Sequence, residues 1–162
     1  MRDDLRFKAD ISEEMDRVNR KKNLIIMGFP ETVEGREGED DDGRLRLLLK
    51  QLMDGEPVRI GTVERFGKET GTGKPRPVRI VIENQMVRRN ILLKAKRLKE
   101  RSDTKDVYIV PDLTRAQQGE DKKLRDKLKE LRKNGQTNLK IQKGEIVHYD
   151  NGEKIVVYMQ DQ

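Results

Sequence analysis

The side chains able to do chemistry in this sequence are, with few exceptions, cations. There is no cysteine, which excludes disulfides, thiolate zinc sites and cysteine nucleophiles. His148 is the only histidine, so a histidine metal cluster is out of reach, and its strand-like surroundings make it a surface residue. No Gly-x-Ser-x-Gly elbow positions a serine nucleophile. Gly71-Thr72-Gly73-Lys74 has the glycines of a phosphate loop, but Pro75 stands where Ser or Thr would have to follow the lysine. Asp40, Asp41 and Asp42 are contiguous, without the spacing that brings carboxylates around a calcium ion. The expectation is therefore a protein that is not an enzyme and holds no metal or cofactor.

What remains is charge. Lys, Arg, Asp and Glu make up 41% of the 162 residues and the net charge is +6. Seven acids and one arginine between Glu31 and Asp42 give that segment −6, so the rest of the chain carries +12. A chain that is basic outside one acidic loop suits polyanions, which it binds by neutralising phosphates and releasing counterions. Residues 67–77 read as a mobile basic finger carrying Lys68, Lys74 and Arg76. Flexibility of that kind follows a backbone without reading bases. No apolar run approaches the roughly 20 residues of a membrane span, and Met1-Arg2-Asp3-Asp4 does not begin a secretory signal; the expectation of an intracellular protein fits these features without following from them.

Periodicity supplies the elements that must hold these cations. Ile11, Met15 and Val18 are spaced four and three apart, which reads residues 1–22 as a helix at the end of a coiled coil. Leu24-Ile25-Ile26-Met27, closed by Gly28-Phe29-Pro30, reads as a buried strand. Leu45, Leu48, Leu49 and Leu52 mark a helix over 44–53 behind the acidic loop 31–43, and Val58–Phe66 reads as a second strand. Val78, Ile80 and Ile82 alternate as a third. A helix over 85–101 carries Val87, Ile91, Ala95 and Leu98 on one stripe, with Arg88 and Arg89 on a basic face, and Val107–Val110 is a fourth strand. This order is that of the ferredoxin-like βαββαβ fold, whose antiparallel sheet has helices on one face and leaves the other open. The domain would cover 23–111. Residues 112–162 would form a small lobe, with a helix opened by a Thr114/Gln117 capping box and then strands 139–142, 145–149 and 154–158.

The first strand resembles the strand-one motif of RNA-recognition-motif domains, with Ile25 where an aromatic ring normally meets a base. In the third strand, Arg79 takes the place of the central stacking ring and Pro77 that of the outer one. An arginine can both stack on a base and neutralise phosphate, so the platform is expected to be electrostatic. Tyr108 falls on the same open face if Val107 and Ile109 face the core. The competing readings are a solvated strand charge for Arg79, an ordinary strand surface for Tyr108 and a solvated helix face for Arg88 and Arg89.

Lys22–Glu31, Arg76–Ile82, Ile91–Lys96 and Pro111-Asp112-Leu113-Thr114 occur here in an order that resembles the first-open-reading-frame protein of LINE-type non-LTR retrotransposons. The resemblance covers about residues 5–150. It implies a coiled coil, a noncanonical RNA-recognition-motif domain and a small C-terminal domain. It further implies a multimeric, gag-like coat on the element's RNA with nucleic-acid chaperone activity, in a cytoplasmic or nuclear ribonucleoprotein. The implied partner is single-stranded RNA or DNA, with self-association through the N-terminal coil. By position, Arg79, Tyr108 and Lys122 match places where that family contacts nucleic acid. Arg65, Lys68, Lys74, Arg76, Arg88, Arg89 and Arg115 complete the expected interface. Two features depart from the family: most of the coiled coil is missing, and the C-terminal segment ends in strands without a last helix. The alternative function is a protein-interaction module on the same fold.

Overall fold

In a computed structural model, which describes residues 2–31, 40–68 and 71–160, Leu24 and Ile26 are fully buried in a strand, β1 (Asn23–Met27). The chain is an α+β protein, with four α-helices and two antiparallel sheets among the described residues. It divides into two units, Met1–Asp112 and Leu113–Gln162.

The first unit runs α1 (Arg2–Arg20), β1, α2 (Asp41–Leu52), β2 (Val63–Arg65), β3 (Val78–Val81), α3 (Gln85–Lys94) and β4 (Tyr108–Pro111). Its sheet has the order β2-β3-β1-β4, and every neighbouring pair is antiparallel. One face of that sheet is apolar by alternation. Leu24 and Ile26 of β1, Val78 and Ile80 of β3 and Ile109 of β4 pack on Leu45, Leu48, Leu49 and Leu52 of α2 and on Ile91 of α3. Asp40 caps α2 by accepting from the Gly43 N–H at 2.8 Å, and Asp41 and Asp42 sit in its first turn, where the helix dipole favours acids.

Two expectations need correction. The helix over 85–101 is α-helical only to Lys94 and then tightens into a 3₁₀ segment, Ala95–Glu100. The strand expected over 58–66 is regular only from Val63 to Arg65. Gly61 N–H donates to Val81 O while Val81 N–H donates to Thr62 O, so two residues face one and the ladder bulges there. The acidic loop falls mostly on 32–39, outside the described residues.

Gly28 shows why glycine must follow β1. Its φ is +70°, and a Cβ there would lie 2.0 Å from the carbonyl oxygen of Asp106.

In the second unit, α4 (Arg115–Lys133) begins with the expected capping box between Thr114 and Gln117. Leu124 of α4, with Leu128 and Leu131, packs on Leu139 and on Ile146 of a sheet ordered β5 (Lys140–Gln142), β6 (Glu145–Asp150), β7 (Glu153–Met159). His148 lies half-buried on β6, opposite Ile155. Among the described residues no helix is long and apolar enough to cross a membrane, and no acid or histidine cluster is set to hold a metal.

Candidate nucleic-acid interface

The registers of the first sheet generate the face that α2 and α3 leave open. Residues opposite in parity to Leu24 and Ile26 are Asn23, Ile25 and Met27. Their cross-strand neighbours are Val81 for Asn23, Arg79 and Val110 for Ile25, and Tyr108 for Met27. On β2, Glu64 pairs with Arg79, and Phe66 follows on the same side. The face therefore has a middle row, Glu64–Arg79–Ile25–Val110, that is charged at its β2–β3 end and apolar beyond, with Ile25 itself buried. Beside it lies an apolar and aromatic row of Phe66, Met27 and Tyr108.

Arg79 is the centre of this surface. Its guanidinium lies over the Phe66 ring at 4.8 Å, within cation–π range. Nη1 donates to Glu64 at 3.1 Å. Nε is 3.3 Å from the Asp112 carboxylate, close enough to pair electrostatically, but it is buried without an aligned hydrogen bond. The Asp112 side chain is only 5% exposed and also accepts from Arg20 Nη1 at 3.0 Å and Asn23 Nδ2 at 2.9 Å. Asp112 thus ties the end of α1 to the open face. Hydrogen bonding to Asp16 and Asp112 raises the pKa of Arg20, Asp16 having the larger effect, so its charge is fixed.

The expected contacts do not all lie here. Tyr108 does, about half exposed, next to Met27. Arg65 does not: it points to the helix side with a side chain 7% exposed, and every guanidinium N–H is committed. Nε and Nη2 donate to Asp41 at 2.7 and 2.8 Å, Nη1 to Phe29 O and Arg76 O, and Nη2 to Pro30 O. It is a structural tie rather than a surface cation. Arg76 is held by Glu31, whose Oε1 accepts from Nε at 2.8 Å and lies 2.7 Å from Nη2. That bond, more than any other influence, holds the Glu31 carboxyl below its ordinary pKa.

Lys68 and Lys74 remain exposed, with no ion pair among the described residues. Glu69 and Thr70 of the expected finger lie outside those residues. Arg88 belongs to α3, on the covered side, and spends Nε and Nη2 on Asn23 O. Burial lowers its pKa, partly offset by Asp112. Arg89 is exposed on the same helix. Further along, Lys94 and Arg97 share Asp54, and Arg101 pairs with Asp103, so much of this basic face is neutralised. Arg115 and Lys122 belong to the second unit. Both are exposed on α4, and Lys122 pairs with Asp126 at 2.8 Å.

Sequence reasoning missed Phe66, Glu64, Asn23 and Asp112. Phe66 and Glu64 are recoverable from the two-residue period running back from Arg65 once its face is known. Asp112 was visible in Pro111-Asp112-Leu113-Thr114 as a helix lead-in, but its partners lie 33, 89 and 92 positions away and no local pattern announces them.

No protein-family model matches the chain, and no curated protein matches it.

Proposed function

We propose that this protein is a non-catalytic binder of single-stranded nucleic acid, RNA foremost, with low sequence specificity. The observation that carries the reading is the open sheet face, with Arg79 laid on Phe66 at its centre and Tyr108 exposed beside Met27. A stacked guanidinium offers both a flat surface for a base and donors for a phosphate, and an exposed tyrosine adds a second stacking surface. Exposed Lys68 and Lys74 on the loop before β3 supply backbone contacts. We read the first unit as a ferredoxin-like, noncanonical RNA-recognition-motif domain. The strand order β2-β3-β1-β4, with α2 and α3 over one face, supports that reading. The retrotransposon coat and chaperone role follows from the resemblance alone.

Self-association belongs to the same reading. Phe7, Ile11, Met15 and Val18 of α1 are all exposed along one helical stripe. Such a stripe in water is satisfied by a second helix of the same kind.

The test is fluorescence anisotropy of a labelled single-stranded RNA over a salt series. Binding should weaken steeply with salt, each phosphate contact adding about 0.7 to the slope of log K against log salt. R79A combined with Y108A should cost tenfold or more in affinity, since base stacking and a charged contact are each worth about 1–3 kcal/mol. Absence of binding at low salt, or an unaffected double variant, would refute it. Because half-buried Met27 and Val110 give the same face an apolar strip beside exposed Tyr108, a protein partner is the second reading. Salt-insensitive capture of a protein on this face would favour it.

A further inference from the structure

The cation at the centre of the open face already has two anions, and they are not equivalent. Asp112 is buried and fixed by Arg20 and Asn23 as well as by Arg79. Glu64 sits directly across the β2–β3 ladder from Arg79, its side chain is 58% exposed, and Arg79 is its only ion-pair partner among the described residues. Fixed and exposed carboxylates differ in what it takes to move them. Leaving Asp112 would take from a buried carboxylate one of its two cations, whereas an exposed cross-strand pair is weak and its glutamate can rotate into water. Glu64 also covers the part of the guanidinium a ligand needs. It accepts from Nη1, while Asp112 lies on the buried Nε edge and the Phe66 ring backs the guanidinium plane.

We propose that Glu64 is a displaceable counter-anion, occupying on Arg79 the position a nucleic-acid phosphate takes, and that binding exchanges this carboxylate for a phosphate. Asp112 and Phe66 hold the guanidinium in place while the exchange occurs. Glu64 thereby sets the affinity of the face below what Arg79 alone would give. The inference rests on the nucleic-acid reading above.

Glu64→Gln keeps the shape and removes the charge. Affinity for a fluorescein-labelled oligouridylate, measured by anisotropy across a salt series, should rise about three- to fivefold, the worth of an exposed pair. Glu56→Gln removes the same charge from the exposed turn after α2 and should leave affinity unchanged. In an R79A background, Glu64→Gln should have no effect. An E64Q protein no tighter than E56Q, or a gain that persists with R79A, overturns the proposal while leaving nucleic-acid binding intact. If neither the unsubstituted protein nor any variant binds at the lowest salt, the nucleic-acid reading itself falls and takes the exchange with it.

Discussion

Arg65 offers the sharpest discrimination between a structural and a binding cation. Its five N–H donors meet five acceptors: both carboxylate oxygens of Asp41 and the main-chain carbonyls of Phe29, Pro30 and Arg76. One side chain thus pins the end of β1, the start of α2 and the entrance to β3. Arg65→Ala leaves three carbonyls and a partly buried carboxylate to find other partners. Removing one partner of a fully buried ion pair costs about 3–5 kcal/mol. Asp41 keeps a quarter of its side-chain exposure, so water recovers part of that and about 3 kcal/mol is expected. With a urea dependence of about 1.5 kcal/mol/M, the unfolding midpoint of the first unit should fall by about 2 M.

Arg65→Lys should recover roughly half, since an ammonium has three donors and cannot meet Asp41 in a fork. The assay is urea unfolding followed by circular dichroism, with RNA anisotropy on the fraction that remains folded. A midpoint within about 0.3 M of the original together with weakened RNA binding would refute the reasoning, because that is the signature of an exposed phosphate contact.

Other consequences are testable with the same methods. Gly28→Ala forces a left-handed backbone on a residue whose Cβ would meet the Asp106 carbonyl, so a loss of about 2 kcal/mol and a thermal midpoint lower by about 8 °C are expected. Glu31, held below its ordinary value of 4.5 chiefly by its hydrogen bond from Arg76, contributes stability that is full above that value and lost as pH falls through the lower, folded-state pKa. The urea midpoint of Glu31→Gln should therefore lie below that of the unsubstituted protein near neutrality and converge with it in acid; a gap that widens in acid would contradict the sign. Ile11→Asp with Met15→Asp should shift sedimentation toward monomer without loss of helix content. Unchanged sedimentation would remove α1 as the self-association surface.

The elements were legible where a single period ran unbroken. Leu45, Leu48, Leu49 and Leu52 announced α2, Thr114 and Gln117 announced the start of α4, and the alternation Val78-Arg79-Ile80 put Arg79 on the open side of β3. Legibility failed where one residue was out of step. A straight strand from Val58 would set Arg65 opposite in parity to Val58 and Ile60, both core residues, and so send it to the open face. Instead Gly61 and Thr62 both face Val81, and this extra residue reverses the parity. Val63 then packs on the core, Arg65 turns to the helix side, and Glu64 and Phe66 move to the open one.

The same bulge therefore removed an expected contact and created the surroundings of another. Without it, Arg79 would have neither the glutamate that neutralises it nor the ring that supports it. Charge counts could not reveal this, because they sum lysines and arginines without regard to what each one faces. Arg65, Arg76 and Arg88 are as cationic as Lys68 and Lys74, yet their donors are spent on this chain's own carbonyls and carboxylates. Partner geometry, rather than the net charge, decides which cations a polyanion can use.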